Sequence, residues 1–106
     1  MARALINVPK TAKRGEVVEI RALVAHPMES GFRPDDNGRL IPRDIIQGFA
    51  CAYNGEEIFR ADFFPAVAAN PYVAFSTVAT ESGTLSFTWT SDKGETQTES
   101  RPITVE

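Results

Sequence analysis

The stretch Ile45–Asp62, which reads IIQGFACAYNGEEIFRAD, limits most strongly what this chain can fold into. Two runs of β-forming residues flank Asn54 and Gly55. Asn-Gly is the preferred pair for a two-residue type I′ turn, because both central residues of that turn need a positive φ. We therefore predict a central β-hairpin with its tip at Asn54 and Gly55.

Counting outward from the turn predicts the register of this hairpin. A regular ladder gives the pairs Tyr53–Glu56, Cys51–Ile58, Ala50–Phe59 and Phe49–Arg60. Side chains alternate between the two faces of a strand. One face is predicted to hold Phe49, Cys51, Tyr53 and Ile58, and the other Ile46, Gly48, Ala50, Ala52, Phe59 and Ala61.

Both predicted faces of the hairpin are apolar, which leaves two interpretations open. In the first, the face that carries Gly48 and Ala50 packs against the other sheet of the domain, and a loop covers the face that carries Cys51. In the second, this face is a flat docking surface, where small residues allow a partner to approach closely and Phe59 serves as an anchor. Composition does not separate the two.

Alternating patterns elsewhere predict further strands. They lie at Ala4–Val8, Val17–Ala25, Tyr72–Ala79, Thr84–Ser91 and Thr96–Val105, and Asp62–Pro71 is predicted to form one short helical turn between sheets. About seven strands with turns between them indicate an all-β antiparallel sandwich. The predicted core is centred on Trp89, Phe87, Leu85, Phe49, Ile20 and Val18. With 106 residues, the chain is predicted to be a single domain spanning 1–106.

The segment Met28–Asp44 is the longest without a periodic pattern. Loops of this length inside a small domain are usually functional or disordered. Asn37-Gly38 within it predicts a small ribbon. We expect Met28 and Phe32 to be exposed, so the loop is a candidate contact surface.

Charge and hydropathy exclude several classes of function. The net charge is −3 and no basic patch is evident, which argues against nucleic acid as a partner. No run approaches the roughly 18 apolar residues that cross a bilayer, so no membrane partner is predicted. The start, MARALINVPK, lacks the apolar core of a signal peptide. This favours the cytoplasm, or export by a route other than a signal of the chain's own.

The chain has one cysteine, Cys51, and one histidine, His26. An internal disulfide and a closed zinc site are therefore excluded. Cys51 lies in mid-strand between two alanines, which favours a packing role over a nucleophile or sulfur carrier. His26 and Met28, with or without Cys51, do not match a known metal-binding spacing. We predict no catalytic, cofactor-binding or metal-binding residues.

Several motifs in a fixed order resemble the SoxZ family. They are HPMESGFR at 26–33, IPRDII at 41–46, YNG at 53–55, AANPY at 68–72, SGT at 82–84 and FTW at 87–89. They span nearly the whole chain. Ser30 is a small departure, since a threonine is expected there. The family comprises the smaller subunits of the SoxYZ sulfur-carrier complex of bacterial thiosulfate oxidation.

The resemblance implies an immunoglobulin-like sandwich and a heterodimer with a SoxY-like subunit, whose cysteine near a flexible C-terminus carries the sulfur substrate. This chain ends in a strand-like segment, Arg101–Glu106, without a cysteine, as the non-carrying partner does. The resemblance also implies contact with other Sox enzymes through the complex, and a periplasmic location reached by export with SoxY. Neither catalysis nor a cofactor is expected of this subunit.

The candidate interface combines the docking face of the hairpin with the first part of the long loop. Its residues are His26, Met28, Phe32, Arg33, Gly48, Ala50 and Phe59. Two alternatives remain open, a thiol-based carrier or enzyme that uses Cys51, and an unrelated sandwich-type binding module. An apolar surface meant for a partner could also form a homodimer when the partner is absent.

Overall fold

Two packed β-sheets make up the computed structural model, which describes residues 3–106. The eight strands are β1 (Ala4–Asn7), β2 (Thr11–Ala12), β3 (Val17–Val24), β4 (Ile46–Tyr53), β5 (Glu56–Asp62), β6 (Tyr72–Val78), β7 (Gly83–Ser91) and β8 (Thr96–Val105). The smaller sheet has the order β1-β3-β6 and the larger the order β2-β8-β7-β4-β5. The predicted immunoglobulin-like sandwich is confirmed. Residues 3–106 contain no helix long and apolar enough to cross a membrane.

The strand β2 is additional to the seven predicted strands. It lies in a segment that the sequence predicts as a turn. Thr11 and Ala12 run parallel to Thr104 and Val105 of β8. The pairing extends to a hydrogen bond of 2.9 Å from the Thr104 N–H to the Lys10 carbonyl. Two residues are too few to show an alternating pattern, so only the tertiary contact reveals this strand.

The core lies between the two sheets and contains all six predicted residues. Val18, Ile20, Phe49, Leu85, Phe87 and Trp89 are buried. They come from alternate positions of β3, β4 and β7, as side-chain alternation requires. Each fully buried large apolar side chain contributes about 1.5–3 kcal/mol to the free energy of unfolding.

The turn between β4 and β5 has the predicted geometry, with φ of 49° at Asn54 and 85° at Gly55. The Asn54 side chain also ties this turn to the start of β7. Its Oδ1 accepts a hydrogen bond of 2.9 Å from the Thr84 N–H, and its Nδ2 donates one of 3.3 Å to the Ser82 carbonyl. Asn54 therefore sets the turn and fixes it to the next strand.

The predicted register of the hairpin is right at the turn and wrong beyond it. Tyr53 pairs with Glu56, but the register shifts between Cys51 and Ala52. The observed pairs beyond the shift are Cys51–Phe59, Ala50–Arg60 and Phe49–Ala61. A β-bulge at Ile58 adds one residue to β5, and every later side chain of β5 then changes face.

Phe59 consequently does not share a face with Gly48 and Ala50. It turns toward the core, where its ring stacks on that of Phe75 with centroids 4.3 Å apart. A second register shift, between Ile46 and Gly48, likewise turns Ile46 inward, where it is buried. Phe59 as an outward docking anchor is therefore wrong, because a single extra residue reverses its direction.

The segment between β5 and β6 crosses from the larger to the smaller sheet, as predicted, but without the predicted helical turn. A single β-turn is found, closed by a hydrogen bond of 2.9 Å from the Val67 N–H to the Phe64 carbonyl. Pro65 fits the second position of such a turn as well as it fits the start of a helix. The proline pattern cannot distinguish the two structures.

The segment Glu29–Asp44, here called the 29–44 loop, forms the predicted ribbon. Isolated bridges join Glu29 to Asp44 and Pro34 to Leu40. The Asp35 Oδ1 accepts hydrogen bonds from the Asn37 and Arg39 N–H groups at the tip. The loop thus has a defined backbone despite its lack of periodicity.

The contact between Gly83 and Asn54 leads to a stability prediction. A Cβ on Gly83 would lie 1.7 Å from the Asn54 Oδ1, so Gly83→Ala must displace the side chain that binds Thr84. We expect a loss of about 1–3 kcal/mol in the free energy of unfolding, measured by urea denaturation. The matched control is Gly48→Ala, whose new Cβ meets no atom closer than 4.0 Å. Equal stability of the two variants would contradict this role of Gly83.

Candidate docking surfaces

Cys51 lies at the centre of the sandwich and is fully buried. Its neighbours across the ladders are Phe87 and Phe59. Burial in this apolar surrounding raises the pKa of the thiol to about 12. A reactive cysteine needs exposure and a nearby positive charge to stabilise the thiolate. The predicted packing role is therefore supported, although the residue opposite Cys51 is Phe59 and not Ile58.

His26 fastens the end of β3 to the base of the 29–44 loop. Its Nδ1 accepts a hydrogen bond of 3.0 Å from the Met28 N–H, and its Nε2 lies 3.5 Å from the Asp44 Oδ1. The His26 N–H donates a hydrogen bond to the Asn70 Oδ1, and the Asn70 N–H donates one to the His26 carbonyl. Within residues 3–106, no three side chains of the His, Cys, Asp and Glu types are placed to hold a metal ion. The contacts of His26 therefore give it a structural role at the base of the 29–44 loop.

Met28 is buried, contrary to the expectation that it is exposed. It has a φ of 52°, an uncommon value for a residue other than glycine. Its Sδ accepts a hydrogen bond of 3.2 Å from the Ile46 N–H, and its side chain joins the core. The prediction of Met28 as a contact residue is therefore wrong. Its buried side chain holds the base of the loop in place.

The 29–44 loop instead presents Phe32 and Leu40, whose exposed fractions are 81% and 62%. Arg33 beside Phe32 pairs with Glu29, and this lowers the pKa of the Glu29 carboxyl. The other end of the loop is held by Arg43, whose Nε donates to the Asp92 Oδ2 at 2.9 Å. The loop is thus held at both ends and exposes two large apolar side chains, a feature that marks candidate interaction sites.

The outer face of the larger sheet carries Gly48 and Ala50, in agreement with the second interpretation of the hairpin faces and against the first, in which this face packs on the other sheet. Because Phe49 and Cys51 point inward, their neighbours along β4 point outward. Ala52 of β4 lies on the same face, and the neighbouring strands continue it with small side chains, namely Ser86, Thr88, Thr90 and Thr98. The result is a flat surface with little to obstruct another protein. Arg60 and Asp62 of β5 lie along one side of this surface.

Gly48 has no internal reason to be glycine. Its φ lies outside the left-handed region, and an added Cβ would make only an ordinary contact of 4.0 Å with the Thr90 Cβ. A strand glycine of this kind often marks a close approach of another molecule. It forms the floor of a shallow groove of about 460 Å³, whose walls include Arg43, Arg60 and Phe64. Phe64 has an exposed fraction of 65% and was not among the predicted residues.

The predicted interface residues therefore separate into four places. Gly48 and Ala50 lie side by side on the outer face of the larger sheet. Phe32 and Arg33 lie on the 29–44 loop. His26 and Met28 hold the base of the loop from inside, and Phe59 is partly buried and packs against the core.

A further apolar row was missed, on the outer face of the smaller sheet. Leu5, Leu23 and Tyr72 are direct neighbours across β1, β3 and β6. Leu5 and Tyr72 expose more than half of their surface. Both residues occupy outward positions of strands with an alternating pattern. That alternation is the sequence signal from which the row could be predicted.

A family model describing the sulphur oxidation protein SoxZ matches residues 6–102. No curated protein matches the chain. Among solved structures, the sulfur carrier protein SoxY from Chlorobium limicola f. thiosulfatophilum is 15% identical with a TM-score of 0.68, covering 97% of this chain and 78% of that chain.

A superoxide reductase (neelaredoxin) from Ignicoccus hospitalis is 19% identical with a TM-score of 0.74, and the match covers 99% of this chain and 82% of that chain. At such identities both structures establish the shared fold alone. The family match extends over nearly all of the sequence and agrees with the motifs found in it. The chain therefore belongs to the SoxZ family of sulfur-oxidation proteins.

Proposed function

We propose that this chain is the non-catalytic subunit of a sulfur-carrier complex. It pairs with a SoxY-like protein, whose cysteine carries the covalently bound sulfur substrate during thiosulfate oxidation. The observation that carries this proposal is the complete burial of Cys51. Membership of the SoxZ family supports it.

The chemistry of sulfur transfer explains why burial matters. A thiol that accepts and releases sulfur must ionise and must be reached by the enzymes that act on it. Cys51 meets neither requirement, since it is enclosed by the two sheets and its pKa is raised to about 12. A thiol-based carrier function of this chain is accordingly disfavoured, and the reactive sulfur is assigned to the partner.

The chain contributes surfaces to the proposed complex. The flat outer face around Gly48 and Ala50 allows a partner to approach closely, and the exposed Phe32 on the braced 29–44 loop provides an anchor. Contact with the other Sox enzymes takes place through the assembled complex. In this proposal the chain is periplasmic and is exported together with its partner.

Co-expression tests this proposal directly. A SoxY-like protein produced together with this chain is expected to co-purify and to elute from size exclusion as one complex. Each protein purified separately provides the reference, because the isolated chain could form a homodimer. Independent elution of the two proteins after mixing would contradict the proposed pairing.

The burial of Cys51 leads to a prediction about thiol reactivity. Iodoacetamide is expected to alkylate the native chain at least about a hundredfold more slowly than the urea-unfolded chain at pH 8, because the buried thiol is protonated and enclosed. The rate is read from the mass of the protein over time. Comparable native and unfolded rates would show that Cys51 is accessible and would favour a thiol-based function.

The exposed Phe32 leads to a prediction about affinity. Phe32→Asp is expected to weaken binding of the SoxY-like partner by about tenfold or more, since it places a charge where an apolar anchor is buried. Isothermal titration calorimetry measures the dissociation constant. Phe32→Leu is the matched control, because it keeps an apolar side chain at the same exposed position. Normal binding by Phe32→Asp would remove the loop from the interface.

A further inference from the structure

Edge strands expose unpaired backbone groups, and proteins usually protect them. In β5 this protection is evident, since Glu56, Glu57, Arg60 and Asp62 are charged and Ile58 forms a bulge. The far side of β8 carries Glu99, Arg101 and Pro102, and β2 covers its end. The remaining edge of the smaller sheet at β1 is four residues long. Three of the sheet edges are thus charged, interrupted or short.

The strand β6 differs from these edges. It reads YVAFSTV over Tyr72–Val78 and contains no charged residue, proline or glycine. Its register with β3 is continuous from the pair Leu23–Tyr72 to the pair Val17–Val78. It is last in the order of the smaller sheet. An edge strand that is regular, uncharged and this long is a ready template for another strand.

The hydrogen bonds to β3 show which backbone groups of β6 remain unpaired. Val24 donates to the Pro71 carbonyl at 3.2 Å, and Ala79 donates to the Glu16 carbonyl at 2.8 Å. In an antiparallel ladder, alternate residues share these bonds. Residues 73, 75 and 77 therefore turn their N–H and C=O groups toward β3. The residues whose backbone groups point to the open edge are Tyr72, Ala74, Ser76 and Val78.

The side chains beside this edge are also suited to being covered. Tyr72 and Val78 on the outer face have exposed fractions of 54% and 45%. On the inner side, the stacked rings of Phe59 and Phe75 are only partly buried. A strand added to β6 would extend both faces and bury more of this aromatic pair. Phe59 would then contribute to an interface from inside the sandwich.

We infer that β6 forms an antiparallel pair with an edge strand of the SoxY-like subunit, so that the smaller sheet continues across the complex. The inference rests on the proposed function. The solved SoxY protein shares this fold over 97% of the present chain, and a partner of this fold would have sheet edges of its own to offer. Two sandwiches of one fold can then meet through equivalent edges about a pseudo-twofold axis. Main-chain hydrogen bonds supply the contact, as in other cases of strand addition.

Amide hydrogen exchange followed by NMR tests this pairing residue by residue. In the isolated chain, the amides of Val73, Phe75 and Thr77 are expected to be protected and those of Ala74 and Ser76 to exchange rapidly. Addition of the SoxY-like subunit is expected to slow exchange at Ala74 and Ser76 by tenfold or more. Docking confined to the outer faces of the sheets would not produce this alternation.

The outcomes separate this inference from the proposed function. A complex that forms while Ala74 and Ser76 stay unprotected overturns the pairing at β6 and leaves the function standing. Failure to form any complex overturns both. Protection that appears in the isolated chain as its concentration rises would show that a second copy of this chain occupies the edge, and would overturn the assignment to the SoxY-like subunit.

A substitution at the edge provides an independent test. Ala74→Pro removes one outward N–H and leaves the hydrogen bonds to β3 in place, since Ala74 points away from β3. We expect the dissociation constant of the complex to rise by about tenfold or more. Ala74→Val is the matched control, because it keeps the N–H and suits a strand. Circular dichroism and thermal unfolding of the isolated variants establish that both are folded. Equal binding by the two folded variants would contradict the inference.

Discussion

The contact of Phe49 with four other aromatic rings holds the two sheets together. Its ring centroid lies 5.3 Å from that of Trp89, 6.1 Å from Phe59, 6.3 Å from Phe75 and 6.3 Å from Phe87. Phe75 belongs to the smaller sheet and the others to the larger. Aromatic pairs at such separations add to the stabilisation that burial itself provides. The cluster thus joins the two sheets through Phe75 and occupies the inward face of the central hairpin.

This aromatic cluster also determines the environment of the Cys51 thiol. Cys51 is two residues from Phe49 on the same strand and therefore shares its inward face. The aromatic packing that stabilises the fold excludes water and charge from the thiol, and the result is a raised pKa. The site that could have carried chemistry is part of the core. The proposed function rests on the surfaces instead, namely the flat small-residue face, the braced loop and the edge of β6.

Local patterns predicted most of the fold. Asn54-Gly55 identified the turn, and alternation identified the long strands and the buried residues Phe87 and Trp89, because these features depend on a few neighbouring residues. The bulge at Ile58 could not be predicted, since neither glycine nor proline marks it. That one residue reversed the direction of Phe59. Regular counting from a turn is therefore reliable only up to the first irregularity of the ladder.

The candidate surfaces were predicted less completely, for a related reason. Gly48 and Ala50 were placed correctly because they neighbour Phe49 on a regular part of β4. Met28 was placed wrongly because its burial depends on the Ile46 N–H, which is distant in sequence. The open edge of β6 was not recognised, because an edge is a property of sheet order, and strand sequences do not specify that order.

The location of the sulfur is the most direct test of the proposal that this chain provides surfaces and no reactive atom. A reduced complex of this chain and the proposed SoxY-like partner would be treated with polysulfide, and the intact mass of each subunit measured without reductant. We expect added sulfur atoms on the partner and an unchanged mass for this chain, with Cys51 enclosed as in the structure. Sulfur bound covalently to this chain in the folded complex would contradict the central claim.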